Sequence, residues 1–324
     1  MGHGNSVENI RGVYVQQQGT ECGFSGPAAW VVLCPIEQSI KRKIESVGKP
    51  LRDWDISINY GIKTGYNDAF IITTERRDEI LSNCKSDEER QRTNDIIRPI
   101  LRGRDIKRYS YDWAGLWLIW IPWHFPLHLD PSIQGASAEA EQTFMDQYPS
   151  VYQHLLLYKP QLSARNKAET DIRYEWYALQ RWGANYSDDF SQPKIVWIEL
   201  TDESKFALST DGLIPLNTVF FMVGKHIKYL LAVINSSLIH WYFQHTLGST
   251  SGVGTNRWLK YTVECIPVPL IQDDTEWESL INDIQKYKQD SQNTFDIETV
   301  IDRKVFDLYG LSEDEREHIQ NSFQ

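Results

Sequence analysis

Apolar positions along the chain follow two rhythms. Ile36, Ile40, Ile44 and Val47 recur at helical spacing and predict a helix over Ile36–Val47, which Gly48-Lys49-Pro50 terminates. Short β-branched or aromatic runs predict strands at Ala29–Cys34, Ile56–Tyr60, Ala69–Thr74, Trp113–Trp123, Lys194–Leu200 and Thr218–Val223. The charged stretch Arg76–Asn94 reads as helical and leads through Ile97–Leu101 into a basic segment. Tyr148–Lys159 and Gln161–Thr170, parted by Pro160, also read as helices, while Pro122, Pro126 and Pro131 mark an irregular loop. His226–Leu247 is long, periodic and apolar, and predicts the central helix of the second half. A flexible loop, Gly248–Gly254, follows it, and Arg257–Val263 starts another strand ending at Ile266-Pro267-Val268-Pro269. From Asp274 to Gln324 acids alternate with apolar positions at helical spacing, which predicts two or three amphipathic helices. No solenoid-length repeat interrupts this order. The pattern predicts an α+β fold, a mixed sheet with long helices and a C-terminal helical appendage. It divides into a connector at 1–55, a central domain at 56–270 and a helical segment at 271–324.

Composition narrows the class. With 324 residues, 41% of them hydrophobic, the chain can bury one large core or two modest ones, and nothing in its balance indicates disorder. Its 12 Trp and 16 Tyr suit broad cores or stacking surfaces for bases and sugars, and composition does not choose between them. A net charge of -11 argues at first against a DNA partner. The charge is segregated, however: fourteen acids against five bases in Asp273–Gln324 leave a net of only -2 for the rest. Within that remainder Arg98–Arg108 holds five bases and one acid, so a basic cleft beside an acidic segment is compatible with the total. Cys22, Cys34, Cys84 and Cys265 form no C-x-x-C pair, which argues against a zinc site or disulfide framework. No apolar run reaches membrane-spanning length, and MGHGNSVEN lacks a signal-peptide core, so the expectation is a reduced, cytoplasmic protein with no membrane partner.

Two segments carry candidate chemistry. GIKTGYNDAF, residues 61–70, is a glycine-bracketed polar turn between apolar runs, with Lys63, Thr64 and Asn67 as donors where backbone must come close. Asn67 is of the type that pairs bidentately with adenine, although turn chemistry alone accounts for the same residues. RPILRGRDIKRY, residues 98–109, offers Arg102, Arg104, Lys107 and Arg108 for phosphate or guanine contact, against the plainer role of a solvated turn. Arg165 and Lys167, on a helix with aromatic neighbours, suit the DNA backbone or ordinary surface placement. Asn256 and Arg257, after the glycine-rich loop, have the side chains that best read A and G, or close a simple connection.

The order of segments resembles the TaqI-like C-terminal specificity domain, the target recognition region of type IIG restriction-modification enzymes and adenine-specific DNA methyltransferases. The resemblance runs over about Trp54–Pro269, through GIKTGYNDAFIIT, IIRPILRGRDIKRY, LSARNKAETDIRYEWYALQR, KIVWIEL, PLNTVFFMV, YLLAVINSSLIHWYF and RWLKYTVECIPVP. It implies a double-stranded DNA partner, and methyltransferase and nuclease domains in cis or in trans. The N-P-P-Y motif and the glycine-rich S-adenosylmethionine site of such enzymes do not occur here. The resemblance therefore implies a recognition region that catalyses nothing alone, with S-adenosylmethionine and Mg²⁺ belonging to the parent enzyme. Residues 56–270 become the DNA target recognition domain.

Other classes remain open. A docking scaffold within the restriction assembly would use the same fold without reading DNA. A Mg-dependent nuclease could draw on Asp189 with Glu203 and Lys205, but Glu203 follows its strand instead of lying within it. A carbohydrate-active enzyme needs a carboxylate pair that nothing singles out. His124 and His128 are separated by Pro126, and no metal is assigned.

Overall fold

The computed structural model describes residues 33–165, 174–247, 250–251 and 255–323. Helix α1 (Pro35–Val47) begins with a proline at a position that needs no N–H, and Glu37 accepts the Cys34 amide at 2.7 Å to close its first turn. Strands β1 (Lys49–Pro50) and β2 (Ile56–Tyr60) precede a short helix α2 (Asn67–Phe70) and β3 (Ile71–Thr73). Helices α3 (Thr74–Ser82) and α4 (Asp87–Ile96) start where the Thr73 and Ser86 hydroxyls accept backbone amides. Then come β4 (Ile97–Leu101), β5 (Ile106–Lys107), β6 (Ser110–Tyr111), β7 (Leu116–Ile119), α5 (Ala138–Gln147), α6 (Pro149–Leu156) and α7 (Lys159–Ser163). Strands β8 (Lys194–Ile198), β9 (Leu200–Thr201), β10 (Ala207–Ser209), β11 (Ile214–Pro215) and β12 (Val219–Gly224) lead to α8 (Ile227–Asn235) and α9 (Ser237–Tyr242). The last described elements are β13 (Thr250–Ser251), β14 (Thr255–Arg257), α10 (Lys260–Val263), β15 (Pro267–Val268), α11 (Thr275–Gln289), α12 (Phe295–Leu308) and α13 (Glu313–Asn321).

An antiparallel sheet of order β10-β8-β12-β2 stands between two apolar cores. Strand side chains alternate between faces, so Phe220 and Met222 of β12 enter one core while Val219, Phe221 and Val223 enter the other. Ile195 and Trp197 of β8 likewise oppose Val196. Burial on both faces explains why KIVWI and VFFMV read as unbroken apolar runs. The first core is completed by α1, α8, α9 and the C-terminal helices, which contribute Trp277, Ile281, Ile301, Val305, Phe306 and Ile319. The second is closed by a sheet of order β11-β4-β7-β3 and by Phe144, Val151 and Leu162 of α5, α6 and α7. Only the β11–β4 pair of that sheet is parallel.

Several expected elements differ. The predicted strand Ala29–Cys34 lies outside the described residues as far as Val32, and Leu33 and Cys34 are not in a strand. Ala69 and Phe70 belong to α2, and the strand after them is shorter than expected. Trp113–Trp123 contributes only the four residues of β7. His226–Leu247 is broken at Ser236, whose extended backbone ends α8 and whose hydroxyl accepts the Ile239 amide to start α9. Asn235 fixes the break: its side chain accepts from the Phe206 amide at 3.1 Å and donates to the Phe206 carbonyl at 2.9 Å. Arg257–Val263 does not continue as a strand, because Lys260–Val263 turns into α10 with the Thr262 hydroxyl donating to Leu259 O at 2.8 Å.

Lys194 opens β8 with no exposed surface, its ammonium donating to Phe190 O at 2.7 Å and Gln192 O at 3.0 Å. Burial drives its pKa down to about 8, with Asp211 offsetting only part of the cost. Between that value and the ordinary one near 10.4 the unfolded chain binds the extra proton, so this residue's contribution to stability rises with pH. In urea titrations the stability of the wild type relative to Lys194→Met is expected to improve by about 3 kcal/mol from pH 7.5 to pH 10.5. A flat difference across that range would contradict a pKa of Lys194 lowered by burial.

Candidate nucleic-acid interface

Three chain segments leave the sheets side by side. The Ile62 amide donates to Pro215 O at 2.9 Å, and Ile62 bridges Leu216 in parallel. The Leu216 amide donates in turn to Leu101 O at 3.0 Å. The segments following β2, β11 and β4 therefore run in one direction, and Lys63, Asn217 and Arg102 emerge on a common rim. Val219, the first residue of β12, is paired with Ile198, the last of β8, so the β8 end lies at the same rim. Two glycines permit the approach. A Cβ on Gly61 would stand 2.0 Å from the Leu216 carbonyl oxygen, and one on Gly103 would stand 2.7 Å from Ile198 Cγ2. The turn carrying Arg102 and Arg104 is thereby seated against β8.

A polar cleft of about 430 Å³ opens on this rim, lined among others by Lys63, Thr64, Asn67, Arg165, Gln180 and Asn217. The Thr64 hydroxyl donates to Asn67 Oδ1 at 2.6 Å, and Gly65 adopts a φ of +79° over the stem of Arg165. The Arg165 guanidinium donates to Thr64 O at 2.7 Å, Trp176 O at 2.5 Å and Leu162 O at 3.0 Å, with the rings of Phe70 and Tyr174 each 5.6 Å away. Desolvation lowers its pKa, which Tyr174 partly offsets. Four residues singled out from sequence thus meet here, and Arg165 faces inward, where a helical surface position was expected. The helix itself ends at Ser163, and Lys167 lies outside the described residues.

The basic segment does not form one cationic surface. Arg102 is held by a bidentate pair with Asp105, at 2.7 and 2.6 Å. Lys107 pairs with Asp112, and Arg98 lies 4.3 Å over the Trp120 ring. Arg108 turns away from the rim: its Nε is 2.9 Å from Glu298 Oε2 on α12, near Asp302, whose pKa is raised by desolvation. It is a cross-link to the C-terminal helices, correcting the expectation of a surface contact. Arg104 alone in this segment is exposed without an ion or hydrogen-bond partner among the described residues. On β14, Arg257 pairs with Glu199 just after β8, while Asn256 is buried in the pairing with β9 and does not face the surface.

Gln180 and Asn217 were not singled out from sequence, although Asn217 is a polar amide standing directly before an apolar strand. The proposed nuclease set does not assemble. Asp189 accepts from Asn59 of β2 at 3.0 Å, whereas Glu203 and Lys205 pair at 3.7 Å in the loop leading to β10, at the other edge of the central sheet. Cys34, Glu37 and His318 bring donor atoms within 4.8 Å of one another where α13 meets α1, a grouping that sequence spacing did not reveal.

The chain is thus a two-core α+β fold with a glycine-fitted polar rim. The chain belongs to the family of TaqI-like C-terminal specificity domains, whose model matches residues 98–268, more than half of its length. It is 20% identical over 249 residues to the type II methyltransferase M.MjaIV of Methanocaldococcus jannaschii, covering 75% of this chain and 74% of that protein. Among solved structures it is similar to the type IIL restriction-modification enzyme MmeI in complex with DNA, with a TM-score of 0.48, 11% identity and coverage of 91% of this chain and 38% of that one. The type IIG restriction endonuclease BpuSI gives a TM-score of 0.48 at 14% identity, over 85% and 32% of the two chains. The chain thus spans about a third of these two enzymes.

The rim depends on contact at Gly61 that no side chain allows. Gly61→Ala is expected to cost about 3 kcal/mol or more in urea titrations, because the obstruction is a backbone carbonyl that cannot rotate aside. A loss below about 0.5 kcal/mol would show that β2 and β11 can separate cheaply.

Proposed function

We propose that this chain recognises a specific sequence in double-stranded DNA on behalf of a linked adenine methyltransferase and nuclease. The observation that carries the reading is the convergence of Lys63, Asn67, Arg102, Arg104 and Arg257 on neighbouring strand ends, in a family of specificity domains. Phosphate contacts fix register and base-edge contacts discriminate. On this rim Arg104 is suited to the first task. Arg257, oriented by Glu199, is suited to the second.

On this reading residues 56–270 form the recognition domain. Residues 33–55 and 271–324 buttress its first core, where their apolar side chains are already placed. Catalysis, S-adenosylmethionine and Mg²⁺ belong to domains linked in cis or in trans, and the chain itself positions DNA for them. A methyltransferase that extrudes its target base needs the duplex held from another side, which a rim of this kind supplies. The working compartment is the cytoplasm, and no helix among the described residues is long and apolar enough to cross a membrane.

Selection from a randomised duplex library, at low and then physiological salt, is expected to enrich one short motif. Arg104→Ala should weaken binding to all sequences alike and reduce the slope of log K against log salt by about 1. Arg257→Ala should relax the motif at one position, by about 1–3 kcal/mol of discrimination. Salt-insensitive failure to bind any duplex, even with a methyltransferase supplied in trans, would leave a protein-docking scaffold instead.

A further inference from the structure

The Arg165 guanidinium is held by three neutral carbonyls, and no carboxylate pairs with it among the described residues. A cation largely withdrawn from water without a counter-charge is costly, and its field falls on the space in front of it. That space is the rim cleft, and no acid is among its described lining residues. Thr64 is buried, and its hydroxyl occupies Asn67 Oδ1, so Asn67 presents its Nδ2 donors outward. Bidentate pairing with adenine needs a donor and an acceptor from the same amide, and the Thr64 hydroxyl already holds one of the two lone pairs of that acceptor and fixes its direction. Asn217 offers a second amide in the lining of the same cleft. Among the described residues the cleft therefore presents amide donors and a positive charge without a paired carboxylate, which fits a ligand rich in acceptors and carrying negative charge.

We infer that this cleft seats a backbone phosphate of bound DNA, with Arg165 beneath it and the Asn67 and Asn217 amides at its mouth. The inference rests on the DNA-recognition reading above and assigns Asn67 to positioning, not to base reading. Gly65 keeps the seat open: its φ is +79°, and a Cβ there would stand 2.7 Å from Arg165 Cδ and 2.8 Å from Gln180 Oε1.

The test is Asn67→Asp in the full chain. It is isosteric, keeps the acceptor for Thr64 and places a carboxylate where the phosphate would sit. It is expected to raise the melting temperature at low salt by about 2 °C, by supplying the missing counter-charge. It should also weaken duplex binding about tenfold or more for all sequences alike, leaving the selected motif unchanged. Asn217→Asp repeats the measurement from a different chain segment of the lining if the first variant does not fold. A melting temperature that falls, an affinity that stays the same, or a motif that changes at one position would each overturn the phosphate seat while leaving DNA recognition standing. A wild type that binds no duplex would overturn both.

Discussion

The fold depends on one sheet having no wet face. Strands β8 and β12 send successive side chains into opposite cores, so neither strand can slip by a residue without exchanging the contents of both. An amphipathic sheet would tolerate a loosened solvent face, but this one carries bulky residues such as Trp197, Phe220 and Phe221 against packed neighbours on each side. Register is consequently fixed at both ends of the sheet. The loops at the rim inherit that precision.

The same property made the central strands legible. A short, uninterrupted run of β-branched and aromatic residues is too brief for a core helix and too apolar for a loop, which leaves a strand buried on both faces. Helix α1 announced itself through Ile40 and Ile44 one turn apart. The break at Ser236 was not legible, because it depends on Asn235 bonding to Phe206, a partner distant in sequence. Local periodicity saw an apolar helix there and was right about its polarity but not its continuity. The turn at Lys260–Val263 was hidden for a related reason: β-branched Thr262 and Val263 favour a strand locally, and tertiary packing of Val263 into the first core overrides that preference.

The candidate site was half legible. Glycine-bracketed Lys63, Thr64 and Asn67 do line a cleft, and Arg165 joins them from a segment with no sequence relation to them. Charge counting misled at Arg98–Arg108, where five cations in a short window suggested a continuous patch. A cation's availability is decided by its partner, and those partners were invisible in the window: Glu298 for Arg108, an aromatic ring for Arg98. Even Asp105, visible as the single local acid, holds Arg102 through a two-bond fork.

These pairings change how the electrostatics of the chain should be understood. The strongly acidic C-terminal segment does not merely balance a basic domain at a distance. Glu298 draws Arg108 out of the basic segment and holds it against α12, so part of the negative charge serves to tie the helices to the sheet layer. What remains at the rim, beside Lys63, is a small number of cations in distinct states: Arg104 exposed, Arg257 oriented by a carboxylate, Arg165 turned inward without one among the described residues. Exposed cations give strength without selectivity and oriented ones can discriminate. A surface of modest net charge with these states side by side favours register and discrimination over raw attraction.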